Sequence, residues 1–208
     1  MRPSLVTLSS IGFSLLIFSS PVKAQFIEGR DYVRTAVVGK TVDPKKIEVR
    51  EFFWYGCGYC YRLEPHMQAW LKKMPADVVF ARTPAPINPV WESNARGYYV
   101  AEALGIRQKT HLALFHEIHV KGDKIFDQAS QAKFFTRYGV TEADFNKHFQ
   151  SFAVSSKVAE AKQLTMQYKL QGVPAVVVNG KYIVNGADAK VTQVVDYLVE
   201  KERQALKN

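Results

Sequence analysis

The chain has 208 residues, of which 47% are hydrophobic and 23% charged, with a formal net charge of +9. That length is ample for a packed core and suits one domain carrying an insertion. Its two cysteines are too few for a structural disulfide framework, and its 28 Lys and Arg residues form no dense run, so the basic balance reads as solubility rather than as nucleic-acid binding.

Met1-Arg2 is a weakly positive start, and Leu5 to Phe18 is mostly apolar with Thr and Ser interrupting it. Val22-Lys23-Ala24 offers small residues where a signal peptidase reads. The apolar stretch is too short and too Ser-rich for a good membrane span, and nothing later in the chain is longer. Residues 1–24 are therefore expected to be a cleaved signal peptide, with a disordered cytosolic N-terminus as the alternative. Loss of Arg2 and Lys23 lowers the net charge from +9 to +7.

Ile47 to Tyr55 alternates and then runs continuously apolar, the pattern of a buried strand. A helix is expected after Cys57, with Leu63, Met67, Trp70 and Leu71 at helical spacing, Pro65 inside it, and Met74-Pro75 as its end. Val78 to Arg82 reads as a short strand, and Pro84, Pro86 and Pro89 punctuate an extended connector. From Trp91 to Leu170 helical patterns dominate. Gly105 reads as the cap of a first helix and His111 to Val120 as a second. Ser130 is read as the cap of a third that stops at Gly139. Thr141 caps a fourth, with Phe145, Phe149 and Phe152 on one face, and Ser156 starts a fifth. Strand pattern returns at Val173 to Val178. Asn179-Gly180 signals a tight hairpin into Tyr182-Ile183-Val184, and Ala189 to Leu206 is a closing amphipathic helix. The order implies one α/β layer interrupted by an all-helical lobe.

Cys57-Gly58-Tyr59-Cys60 follows the apolar run Phe52 to Tyr55 and opens a helix. Two thiols at this spacing are within disulfide reach, and helix-terminal N–H groups favour a thiolate on the first. The pattern points to a redox pair, with Cys57 the exposed nucleophile and Cys60 the buried resolving thiol. A structural staple and half of a metal site are the alternatives. The metal site lacks a second cysteine pair, and His111, His116 and His119 read more simply as partly exposed helix residues. Export together with a lone CxxC argues for an oxidising compartment. Val173-Pro174 before an apolar strand is either a strand-start proline or a cis bond that exposes the Val173 backbone to an extended peptide. Glu51 shares a strand face with Val49 and Phe53, which aims its carboxylate at the core; a strand-end acid reaching solvent is the alternative.

Phe52-Phe53 leading into Cys57-x-x-Cys60-Tyr61 resembles the DsbA family of thiol:disulfide interchange proteins in the thioredoxin superfamily. So do Ser151-Phe152 with Val154, and Gly172-Val173-Pro174-Ala175 with Val178-Asn179-Gly180-Lys181-Tyr182. The likeness runs in order from about Gln25 to the C-terminus. It implies an α/β, thioredoxin-like fold with an inserted all-helical domain: residues 25–90 and 171–208 as the two parts of the thioredoxin-like domain, and 91–170 as the insertion. It implies that Pro174 is cis and faces Cys57, and that Glu51 lies beneath the cysteines to assist proton transfer at Cys60. Glu64 and Arg82 are implied as the family's charged pair near the site, or equally a structural ion pair. Substrate would lie extended beside Val173, against Trp54, Tyr55, Gly58, Tyr59 and Pro174. The redox-active disulfide needs no other cofactor and no metal. The expected partners are folding periplasmic polypeptides with cysteines and a DsbB-type quinone-linked membrane protein that reoxidises a monomeric enzyme.

One departure matters. Typical members carry Pro-His between the cysteines, whereas Gly58-Tyr59 stands here. Any help to the thiolate from that histidine is lost, so Cys57 is expected to be depressed less than in the strongest oxidants, and the disulfide to be a milder oxidant. Gly-Tyr is the pair of DsbC-type isomerases. Those carry an N-terminal dimerisation domain, for which residues 25–46 leave no room, and Thr rather than Val before the cis proline. The expectation is therefore an oxidase. A reductase or isomerase kept reduced by a donor, or a non-enzymatic holdase or metal carrier, are the alternatives.

Overall fold

The computed structural model describes residues 25–206; the expected signal peptide lies outside the described residues. In chain order the elements are β1 (Val33–Arg34), β2 (Ile47–Phe53), α1 (Gly58–Leu71), β3 (Val78–Pro84), α2 (Pro89–Ala103), α3 (Arg107–His119), α4 (Gln128–Thr136), α5 (Glu142–Phe149), α6 (Phe152–Gln167), β4 (Ala175–Val178), β5 (Tyr182–Asn185) and α7 (Ala189–Ala205). The strands form one sheet in the order β1-β5-β4-β2-β3. β2 pairs parallel with β3 and antiparallel with β4, which leaves it central, and all seven of its residues are buried. Burial on both faces puts Phe52 and Phe53 side by side at its end and requires its buried charges to be paired, as Glu48 is with Arg50 and Glu51 with Arg82.

Opposite faces of the sheet carry different cores. On one, Val49, Val176 and Val184 meet Leu63 and Met67 of α1 and Val194 and Leu198 of α7. On the other, Phe52, Ala175, Val177 and Ile183 pack against Tyr168, which follows α6. A third core is mainly aromatic and belongs to the five helices between β3 and β4. Tyr98, Phe115, Phe134, Phe135, Phe145 and Phe149 gather there with Phe53, Tyr55 and Cys60. Cys60 therefore sits on the seam between the sheet layer and the helices. Asn179 and Gly180 both have positive φ (48° and 65°), as a two-residue turn matched to strand twist requires. Gly180 is also fixed by space, since a Cβ there would strike the backbone of Gly39.

Several local expectations are corrected. The cap of α4 is Asp127, with Ser130 at the third helical position returning the bond as a capping box. α6 starts at Phe152 on a Ser151 cap, not at Ser156. Phe152 consequently leaves the Phe145–Phe149 face and stands 87% exposed. β1 went unread because two residues carry no periodicity; it exists by pairing with Tyr182 and Ile183. His111 is buried rather than partly exposed, while His116 is exposed and His119 half-buried. Among the described residues no helix is long and apolar enough to cross a membrane.

Candidate active site

β2 ends at Phe53, and the chain turns through Trp54, Tyr55 and Gly56 into α1, whose N-cap is Cys57. Cys57 has extended backbone, and its Sγ accepts the Cys60 backbone N–H at 3.3 Å. A sulfur here receives the helix-terminal donors that the α1 backbone leaves unpaired. The Cys60 thiol and the Cys60 and Tyr59 backbone N–H groups all bond to Cys57. They outweigh its partial burial and hold its pKa at about 6, against an ordinary 9.0. Arg62 adds to the same effect from a short distance along the helix. Its guanidinium lies 4.3 Å over the Tyr59 ring. Cys60, fully buried, is pushed far up by burial and by its bond to Cys57, so it keeps its proton. Both thiols are free in this structure. One thiol is thus poised as a nucleophile and leaving group, the other as a protonated reserve.

The Val173–Pro174 bond is cis, and the Cys57 thiol donates to the Val173 carbonyl at 3.3 Å. A groove of about 540 Å³ runs beside this contact, lined by Tyr59, Gly172, Val173, Pro174 and Ile183 among others. Gly58 is exposed at the start of α1 and Tyr59 beside it is 61% exposed. Trp54 does not line that groove. Its indole stacks on Trp91 (4.6 Å, 12°), donates to Asn94 Oδ1 at 2.8 Å and covers Gly56. Tyr55, read from sequence as part of the exposed apolar surface, is buried, with its ring edge-on to Phe53 and Phe115.

Behind Cys60 lies a closed cluster of charge. Glu51 is fully buried on β2, and its Oε2 accepts Arg82 Nε of β3 at 2.8 Å. Arg82 Nη2 also reaches Glu64 Oε2 of α1 at 3.3 Å, so one guanidinium serves two carboxylates. The other Glu51 oxygen is buried without a hydrogen-bond partner among the described residues. Burial and the like charge of Glu64 push the Glu51 carboxyl up to about 7, with Arg82 opposing them. Burial also pushes Glu64 up, but its bonds to His111, Arg82 and Gln68 win, and it stays below the usual carboxylate value. A buried acid titrating near neutrality beside a thiol can take and return one proton.

The sequence reading missed His111. Its Nε2 lies 2.7 Å from Glu64 Oε1, and its Nδ1 lies 3.0 Å from the Tyr55 hydroxyl. The only signal was its place on the inner side of α3, near Leu114 and Phe115. Among the described residues no group of three or more His, Cys, Asp or Glu side chains is arranged to hold a metal ion.

Comparisons with known proteins agree along most of the chain. The DSBA-like thioredoxin domain family matches residues 48–198. A thiol:disulfide interchange protein DsbA of Pseudomonas syringae is 36% identical over 211 residues, covering 100% of this chain and 99% of that protein. Its counterpart in Azotobacter vinelandii is 40% identical, with 85% of each chain covered. The crystal structure of Pseudomonas aeruginosa DsbA superposes with a TM-score of 0.83 at 37% identity, covering 88% of this chain and 97% of that one.

Proposed function

The chain belongs to the DsbA-like thioredoxin family of thiol:disulfide oxidoreductases, and we propose that it works as a net dithiol oxidase on folding exported polypeptides. The observation that carries this reading is the unequal placing of its two thiols: Cys57 half-buried at the α1 N-cap with its Sγ accepting the Cys60 N–H, which lowers its pKa, and Cys60 fully buried, which keeps its proton on. A thiolate stabilised in the reduced protein makes the reduced state the favoured product, so the disulfide is readily given away.

In the oxidised enzyme a substrate thiolate attacks Cys57 Sγ. The Cys57–Cys60 bond breaks, the substrate–Cys57 bond forms, and Cys60 leaves as a thiolate. Protonated Glu51 supplies the proton that Cys60 needs, becoming a carboxylate held by Arg82. A second substrate thiolate then attacks the substrate sulfur of the mixed disulfide and Cys57 leaves. Two electrons have passed from the substrate dithiol to the enzyme. Substrate lies extended beside Val173, in the groove with Tyr59 and Pro174, where backbone contacts ask little of its sequence. Trp54 supports the approach loop from the far side through Trp91 rather than by lining the groove. A DsbB-type quinone-linked membrane protein takes the electrons and restores the disulfide. Residues 1–24 export the enzyme to the periplasm of a Gram-negative cell, where it acts as a monomer without another cofactor. We also propose the residue 25–90 and 171–208 segments as the redox domain and 91–170 as its helical insertion.

Gly58-Tyr59 favours one second reading, an isomerase kept reduced by a donor. Cys60→Ser expressed in cells separates the oxidase from a binding protein. It should accumulate mixed disulfides with exported proteins, released by reductant, and an absence of adducts would reject the exchange mechanism.

A further inference from the structure

His111 is a buried titratable group that the exchange steps do not use, yet both of its ring nitrogens are engaged. Burial lowers its pKa, so the imidazole is neutral at pH 7, and burial holds the Tyr55 phenol well above its ordinary value. Because Glu64 is a carboxylate and can only accept, these facts together assign the proton positions. Tyr55 O–H donates to Nδ1, which leaves Nε2–H to donate to Glu64 Oε1. His111 is thus a fixed donor aimed at one carboxylate oxygen, delivered from α3, outside the sheet. The groups facing the imidazole and its partners are Glu64 and Gln68 from α1, Arg82 from β3 and Glu51 from β2. Tyr98 from α2 and Arg107 from α3 bond to each other at 2.6 Å nearby.

We infer that His111 is a positioning residue for the proton step at Cys60: by holding Glu64 as a carboxylate, it prevents Arg82 from neutralising Glu51 alone. This rests on the reading of Glu51 as the proton carrier. The physical steps are few. Glu64 is buried, and without its His111 bond, the largest of the effects holding its charge, only Arg82 and Gln68 oppose its desolvation. It takes up a proton and loses its charge. Arg82 then serves Glu51 alone, and the like charge that added to burial in raising the Glu51 carboxyl is gone. Glu51 is then mostly a carboxylate at neutral pH and seldom has a proton to give Cys60. The helical segment thereby sets the acidity of a group on the sheet that it does not touch.

The test is a carbon-13 carboxyl titration of the full reduced chain labelled at glutamate, with Glu51→Gln and Glu64→Gln assigning the two signals. In His111→Leu the Glu51 midpoint should fall by about one pH unit or more while that of Glu64 rises. His111→Gln, whose amide N–H can reach Glu64, should restore most of the wild-type midpoint. Glu64→Gln removes the same charge directly and should lower Glu51 in the same way, which keeps the test decisive if His111→Leu does not fold. A Glu51 midpoint that stays put or rises in His111→Leu, or stays put in Glu64→Gln, overturns the inference. Failure of the underlying reading looks different. The pH profile for reduction of the oxidised enzyme by a dithiol peptide would then keep its wild-type shape in Glu51→Gln, whatever the titrations show.

Discussion

The two thiols of α1 are three residues apart and face opposite chemistry. On the Cys57 side the groups that favour the thiolate are few and near solvent: helix-terminal N–H groups, and Arg62 lying over Tyr59; the Val173 carbonyl bonds only the protonated thiol. On the Cys60 side the groups are buried except for the partly buried Arg82, and Glu51, Arg82, Glu64, His111 and Tyr55 are joined by hydrogen bonds from two strands, two helices and the loop before α1. The outer side stabilises a charge that must be formed and released at a half-buried sulfur. The inner side stores a proton on a carboxyl whose one unpaired oxygen is buried.

That contrast can be broken from either side. Cys57→Ser should abolish dithiol oxidation outright in a reduced-peptide assay; measurable residual turnover would mean Cys60 can act as the entry thiol. Glu51→Gln should slow the steps that protonate or deprotonate Cys60 by about a hundredfold at pH 7. Stopped-flow reduction and reoxidation would show it, while the Cys57 thiolate absorbance should stay near its wild-type titration. If both thiols shift together, the two sides are not separate.

Stability should carry the same signature. The folded Glu51 carboxyl holds its proton up to about pH 7, against an ordinary 4.5. Between those values the folded state binds more protons than the unfolded chain, so this group's contribution falls as pH rises. Relative to Glu51→Gln, the wild type should lose about 3 kcal/mol of unfolding free energy between pH 4 and 8. Cys57 acts in the opposite sense. Its folded pKa of about 6 lies below the ordinary 9.0, so the reduced protein should gain stability over the oxidised one as pH rises through that window. Paired denaturant curves of the two redox forms would measure it. The smallest effect belongs to Arg62. Arg62→Ala should raise the Cys57 pKa by roughly 0.3 unit at low salt and by nothing measurable at 1 M salt, because an exposed charge is screened.

What the sequence disclosed divides along the same line. Cys57, Cys60 and the Asn179-Gly180 turn were legible because each is a local pattern with a local physical reason, whereas the residues alone left Val173-Pro174 open and only the family resemblance implied its cis bond. The burial of Glu51 followed from strand alternation. His111 was not legible, because its meaning depends on Tyr55, 56 residues earlier, and Glu64, 47 residues earlier. Tyr55 misled for a related reason: an aromatic next to a site motif looks like surface until the helices that cover it are in place. Phe152 fitted the spacing of Phe145 and Phe149, but the chain breaks at Gln150-Ser151 and a new helix begins there. Periodicity cannot register a break that keeps its phase.

The central claim is that the reduced pair is the stabilised one despite Gly58-Tyr59. Equilibration of the Cys57–Cys60 couple with glutathione buffers at pH 7 tests it directly. The account predicts a reduction potential well above the roughly −270 mV of thioredoxin, at about −200 mV or higher. A value at or below thioredoxin's would contradict it and make this chain a reductase or isomerase.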